Sequence, residues 1–214
     1  SFVSSENIIY EMTFDKLIWG GDYVANKTGM YPGHQNLTVT PDTPATTVAT
    51  AGQDGSGDFF NAGMNPAFTA DRGLAEWAGS KVYEHPGYPK MGTGSALGWI
   101  MSPALNFQAL GLTEPQNIFV QFDYCRWDGE QDDIVVTAEN AGSMPETQLV
   151  KDHPKRTWQS IVFKVTDATS ETRIKISGTK AGSNRFFIDN FRVYVSQAVP
   201  VEVTSKLETP TNLS

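Results

Sequence analysis

The chain has 214 residues but only one cysteine and three histidines. A lone Cys125 forms no internal disulfide and builds no redox or metal cluster. With Phe122, Tyr124 and Trp127 around it, it reads as a buried thiol in a strand. The histidines are His34, His85 and His153, and none stands in a nucleophile–base frame; His85 and His153 each precede a proline, which reads as loop. No Gly-x-Ser-x-Gly elbow, His-Glu-x-x-His pair, phosphate loop or dinucleotide glycine pattern is present. No apolar run approaches the ~18–20 residues of a membrane-spanning helix. Positive charge is scarce too, with 16 Lys and Arg against 24 Asp and Glu, a net charge of −8 and a pI near 4.8. Nucleic acid is excluded as a partner, because phosphate binding needs clustered cations. Neutral or cationic ligands are favoured.

Strand patterns fill the space that helices leave. Runs rich in β-branched and aromatic residues cover Asn7 to Phe14, Asn117 to Trp127, Asp133 to Glu139, Trp158 to Val165, Thr172 to Ser177 and Arg185 to Val195. Clusters of Gly, Pro, Asn and Asp separate them. Short spacing of strands is the mark of an antiparallel sandwich or barrel, and one large β domain fits this length. From Asp15 to Ala96 the composition turns to Gly, Pro, Thr and Asn with isolated aromatics, which predicts long loops and short strands; Ala70 to Ala78 predicts a short helix carrying Arg72, Glu76 and Trp77.

The run from Arg185 to Val195 carries an acid where a hydrophobe belongs. Strict alternation places Phe187, Asp189, Phe191, Val193 and Val195 on one face. A carboxylate on an apolar face needs a cation, a set of donors or a metal. Calcium takes about six to eight oxygens, and the first strand offers Glu11 and Asp15 beside Asp189; the competing partner is Arg173 or Arg185. Asp54-Gly55-Ser56-Gly57-Asp58 alternates oxygens with glycines but lacks the bidentate Glu of a calcium loop, so it reads as a turn.

Sugars offer apolar C–H faces to aromatic rings and hydroxyls to Asp, Asn, Gln and Arg, so a glycan site needs both kinds of side chain together. Two segments have the mix: Arg126, Trp127 and Asp128 with Gln131, and the stretch from Trp77 through Tyr83 to Tyr88. Trp99 and Trp158 read as core. The acids of the 127–133 turn are the only dense set that a glycosidase could use across its ~5–10 Å cleft, and a hairpin tip more often solvates its charges.

Ile9-Tyr10-Glu11, the run from Gly98 to Leu105, Thr172 to Ile176, and Phe187-Ile188-Asp189-Asn190-Phe191-Arg192-Val193 together resemble a galactose-binding-domain-like jelly roll of the carbohydrate-binding-module type. The resemblance covers about half of the chain, chiefly Gly98 to Val195. It implies an all-β, antiparallel β-sandwich with jelly-roll topology and a structural calcium near the last strand, with Asp189, Glu11 and Asp15 as its ligands. The whole also resembles secreted multidomain surface proteins of glycan-degrading gut bacteria, which implies a secreted or cell-surface location and neighbouring domains in the same chain. Residues 1–196 are expected to form the module. Residues 197–214 read as a linker, and its Pro210-Thr211-Asn212-Leu213 resembles the opening of a fibronectin type III domain. The expected function is non-catalytic binding of a glycan or polysaccharide through Trp127, Asp128, Arg126, Trp77 and Tyr83. The alternatives are a structural or adhesive spacer and, less favoured, a glycoside hydrolase.

Overall fold

A computed structural model describes residues 8–17, 57–64, 66–85, 87–127, 129–144, 148–154 and 157–195. Asp128, most of the Asp54–Asp58 turn and the 197–214 linker with its fibronectin-like end lie outside the described residues. The strands are β1 (Ile8–Met12), β2 (Ala78–Ser80), β3 (Val82–His85), β4 (Tyr88–Met91), β5 (Trp99–Met101), β6 (Gln116–Arg126), β7 (Ile134–Glu139), β8 (Gln148–Val150), β9 (Gln159–Ala168), β10 (Arg173–Gly178) and β11 (Phe186–Val195). Among the described residues one helix, α1 (Pro66–Asp71), and a 3-10 turn over Phe107–Leu110 accompany the strands. The helix expected over Ala70 to Ala78 is displaced. It closes at Asp71, Gly73 follows with φ of +79°, and Ala78 already belongs to β2.

Two antiparallel sheets pack face to face. The first has the order β3-β4-β11-β6-β9, with β1 also pairing β11; the second runs β2-β5-β10-β7-β8. From β5 to β7, and again from β9 to β11, successive strands alternate between the sheets, which is the jelly-roll wrap. The long strands expected from the sequence are all present, with ends shifted by a few residues. The short strands β2 to β5 carry too few residues for an alternating pattern to show.

Alternation explains the core. In β6 Ile118, Val120, Phe122 and Tyr124 point between the sheets, and Val136, Ile174 and Ile176 meet them from the second sheet. Gly98 lies where the chain enters β5, and a Cβ there would sit 2.0 Å from Gly92 N. Only a glycine lets the two main chains pass at that distance.

The single-face reading of β11 is corrected. Its pairing with β6 shifts register between Asp189 and Arg192, where Asn190 takes φ of +49°. Phe186 and Ile188 face the core before this bulge, and Phe191, Val193 and Val195 face it after. An extra residue in a strand swaps the faces. Phe187 and Asp189 therefore lie on the outer side of the first sheet, opposite Cys125 and Asp123 in the register.

Candidate functional site

Three places bring together the residues singled out above. On the outer face of the first sheet, Tyr88, Cys125, Trp127 and Phe187 form a second buried cluster with Trp158 packed against it. Trp127 is 6% exposed. Phe187 stacks on it at 5.7 Å between ring centroids, Arg185 Cζ lies 4.1 Å from its centre and Lys90 Nζ lies 5.2 Å away. The faces of the ring are taken by protein. Lys90, itself 3% exposed, also sits 4.7 Å from the half-buried Tyr83 ring. Arg126 spends its guanidinium on two main-chain carbonyls, Nε donating to His153 O at 3.0 Å and Nη1 to Glu130 O at 2.8 Å.

The described acids of the 127–133 turn are committed in the same way. Glu130 accepts from Arg185 N and Arg185 Nε, each at 3.0 Å, and pairs with Arg185 Nη2. Asp132 accepts from His153 N at 2.7 Å, and Asp133 accepts from Gln131 Nε2 at 3.1 Å. These bonds build the turn; they do not open a pair of carboxylates towards a cleft. His153 belongs to the loop expected for it, and burial draws its pKa down. His85, expected in a loop, closes β3 and is buried.

Cys125 is the inert thiol that its neighbours predict. Burial pushes its pKa up to about 12, and the thiolate is the reactive form. Native protein at about pH 8 is expected to take up no iodoacetamide, while urea-unfolded protein labels fully. Labelling of the folded chain at the rate of a free thiol would contradict the burial. Of the two tryptophans expected in the core, Trp158 packs against this cluster. Trp99 is half-buried, with Lys175 Nζ 4.5 Å from its ring.

The second place is the acid on β11. Asp189 stands opposite Asp123 across the β11–β6 pairing. Asn190 Nδ2 donates to Asp123 Oδ2 at 2.9 Å, and Asn190 N donates to Asp189 Oδ1 at 2.8 Å. Burial first, then the charges of Asp123 and Asp15, push the Asp189 carboxyl up to about 7 against the pull of that N–H. Neither competing arginine meets it. Arg185 holds Glu130, and Arg173 donates to Ser102 O and Glu76 O. Glu11 lies 3.7 Å from Arg192 instead. Among the described residues no three Asp, Glu, His or Cys side chains gather within reach of one ion. Asp123 was missed in the sequence, although its place between inward-facing Phe122 and Tyr124 puts it on the outer face.

The third place is a cleft of about 410 Å³ at the edge of the sandwich. Ile9 and Tyr10 of β1 form one wall, the turn from Gly73 to Trp77 another, and Pro103 to Asn106 with Ala109 and Leu110 the rest. Trp77 is only 5% exposed, packed on Phe14 and edge-on to Phe191, so its indole offers no open face. Its Nε1 donates to Tyr10 Oη at 2.8 Å, joining the two rings at the cleft. Asn106, in the left-handed region at φ 56°, and Glu76 are exposed there.

No protein-family model and no curated protein matches this chain. Solved structures similar to it include carbohydrate-binding modules. A family 61 module in complex with β-1,4-galactotriose is 13% identical, with a TM-score of 0.41, over 57% of this chain and 90% of that one. The family 22 xylan-binding domain of Paenibacillus barcinonensis Xyn10C is 13% identical, with a TM-score of 0.40, over 58% and 88%. The C-terminal family 6 module of a marine laminarinase from Zobellia galactanivorans is also 13% identical, with a TM-score of 0.38, over 54% and 90%. The galactotriose and the xylan belong to those proteins.

Of the five residues expected to bind ligand, the structure gathers Trp127, Arg126 and Tyr83 on or beside the outer-face cluster, and Trp77 alone reaches the cleft. Tyr10, Glu76 and Asn106 were not among the residues expected to bind ligand. Tyr10 carried a signal, as an aromatic inside the first strand; Asn106 carried none, because its place depends on a 3-10 turn.

Proposed function

We propose that the chain is a non-catalytic carbohydrate-binding module of an exported cell-surface protein and that its glycan enters the cleft beside Tyr10 and Trp77. One observation carries the reading: this cleft unites apolar walls with a phenol, a carboxylate and an exposed amide. Ligand pockets of about 300–1,000 Å³ combine apolar lining with a few convergent polar groups in this way. The net acidic charge and the resemblance of the strand motifs support a neutral polysaccharide partner and export.

A calcium ion at Asp189 and Asp123 is part of the proposal. Two facing, part-buried carboxylates with Asp15 adding negative charge suit a hard dication. Main-chain carbonyls and water would complete its shell of about six to eight oxygens.

The test is a broad glycan array probed with the purified protein in calcium and in chelator, beside Ala104→Trp. Ala104 is an exposed residue of the cleft wall, so an indole there fills the cleft without disturbing the core. Binding to some arrayed glycan, lost in Ala104→Trp at an unchanged melting temperature, is the expected result. Silence across the array would favour the spacer reading, to which the buried Trp127 cluster would then belong.

A further inference from the structure

The cleft's polar groups are matched to one kind of sugar. A phenol has a single proton and accepts through its lone pairs. Trp77 Nε1 already donates to Tyr10 Oη at 2.8 Å, so the Tyr10 proton must go to another acceptor. Burial and the charge of Glu76 hold that proton on the oxygen, outweighing the pull of the Trp77 N–H. Among the described residues Glu76 is the one charged residue on this lining, and no Lys, Arg or His is part of it. The guanidinium of Arg173 is tied to the Glu76 and Ser102 carbonyls and does not line it. Glu76 accepts from hydroxyls, and the Asn106 amide can give and take. Neighbouring hydroxyls of a sugar ring find an acceptor, a donor and a mixed partner. A sugar carboxylate or sulfate meets the like charge of Glu76, and among the described residues no cation of the lining offsets it.

Resting on the cleft reading above, we propose that the cleft selects uncharged sugars, with the Tyr10 hydroxyl as the donor that recognises a sugar oxygen and Glu76 as the residue that rejects anionic sugars. Trp77 is a positioning residue, acting through the direction it gives the Tyr10 proton.

The experiment compares pairs of oligosaccharides that differ only at C6, galactose against galacturonic acid and glucose against glucuronic acid, by calorimetry at fixed ionic strength. The proteins are the parent, Tyr10→Phe, Glu76→Gln and Ala104→Trp, each with its melting temperature recorded. The parent is expected to bind a neutral member at least about tenfold more tightly than its acidic partner. Glu76→Gln should narrow that gap severalfold by admitting the acid. Tyr10→Phe keeps the ring and should weaken neutral binding by up to about tenfold, as the loss of one net hydrogen bond does. If Ala104→Trp abolishes binding yet acid and neutral bind alike, or Glu76→Gln leaves their ratio unchanged, or Tyr10→Phe binds as the parent does, the selectivity proposal falls and the cleft reading stands. If Ala104→Trp binds as the parent does, or nothing binds, both fall.

Discussion

Replacing Arg72 with Met is expected to destabilise the protein by about 3–5 kcal/mol, the cost of breaking a buried ion pair from one side. Arg72 and Glu84 are both 0% exposed, with Arg72 Nε donating to Glu84 Oε2 at 2.7 Å. Arg72 Nη1 adds a 2.5 Å bond to Asp71, whose side chain is 30% exposed. Without the guanidinium, the buried Glu84 carboxylate loses the ion pair that offsets part of its desolvation. The paired replacement Arg72→Met/Glu84→Leu should recover most of the loss, because apolar residues of similar volume substitute for a buried pair at little cost. Urea unfolding of the parent, both single variants and the double variant measures this. A single variant no worse than the double would show that the pair is not the source. The effect reaches the cleft as well. Arg72 lies at the junction from which Gly73 to Trp77 run along the cleft wall, so the single variant should also weaken the glycan binding proposed for the cleft.

How far the fold could be read in advance follows from strand length. In β6 and β11, 11 and 10 residues long, alternation repeats often enough to reveal a strand. In β2 and β5, with three residues each, no period exists to read, and tertiary pairing alone makes them strands. The same limit governs the sites. Asp189 was legible as an anomaly, but a one-residue bulge reversed its face, and local pattern cannot announce a bulge. For Trp127 the flanking Arg126 and Asp128 left exposed and buried readings equally open. In space two cations distant in sequence lie over its ring, Lys90 from β4 and Arg185 from the approach to β11. Trp77 and Tyr10 are 67 positions apart, and a bond between them becomes visible only when both sheets are assembled.

The acid pair on the outer face should make stability depend on pH in a direction opposite to that of most carboxylates. Asp189 has a carboxyl pushed up to about 7 from an ordinary 3.8. Below about pH 4 the group is protonated both folded and unfolded, and its raised affinity for the proton contributes fully. As pH rises from there, the unfolded chain ionises first while the folded one keeps its proton, so the contribution shrinks, and it is gone once pH passes the folded value near 7. In chelator, the melting temperature of the parent relative to Asp189→Asn should therefore fall by a few degrees between those limits. The Asn variant keeps the shape and carries no titrating charge. Calcium reverses the sign, because it favours the ionised pair that the proton opposes. Added at about pH 8 it should raise the parent's melting temperature, raise it less at about pH 5, and leave Asp189→Asn unmoved. Parallel curves for parent and variant in chelator would mean that solvent, not burial and Asp123, sets the Asp189 environment. A parent indifferent to calcium would leave the carboxyl pair as a shared-proton contact between β6 and β11, and would remove the metal from the proposed module without touching the cleft.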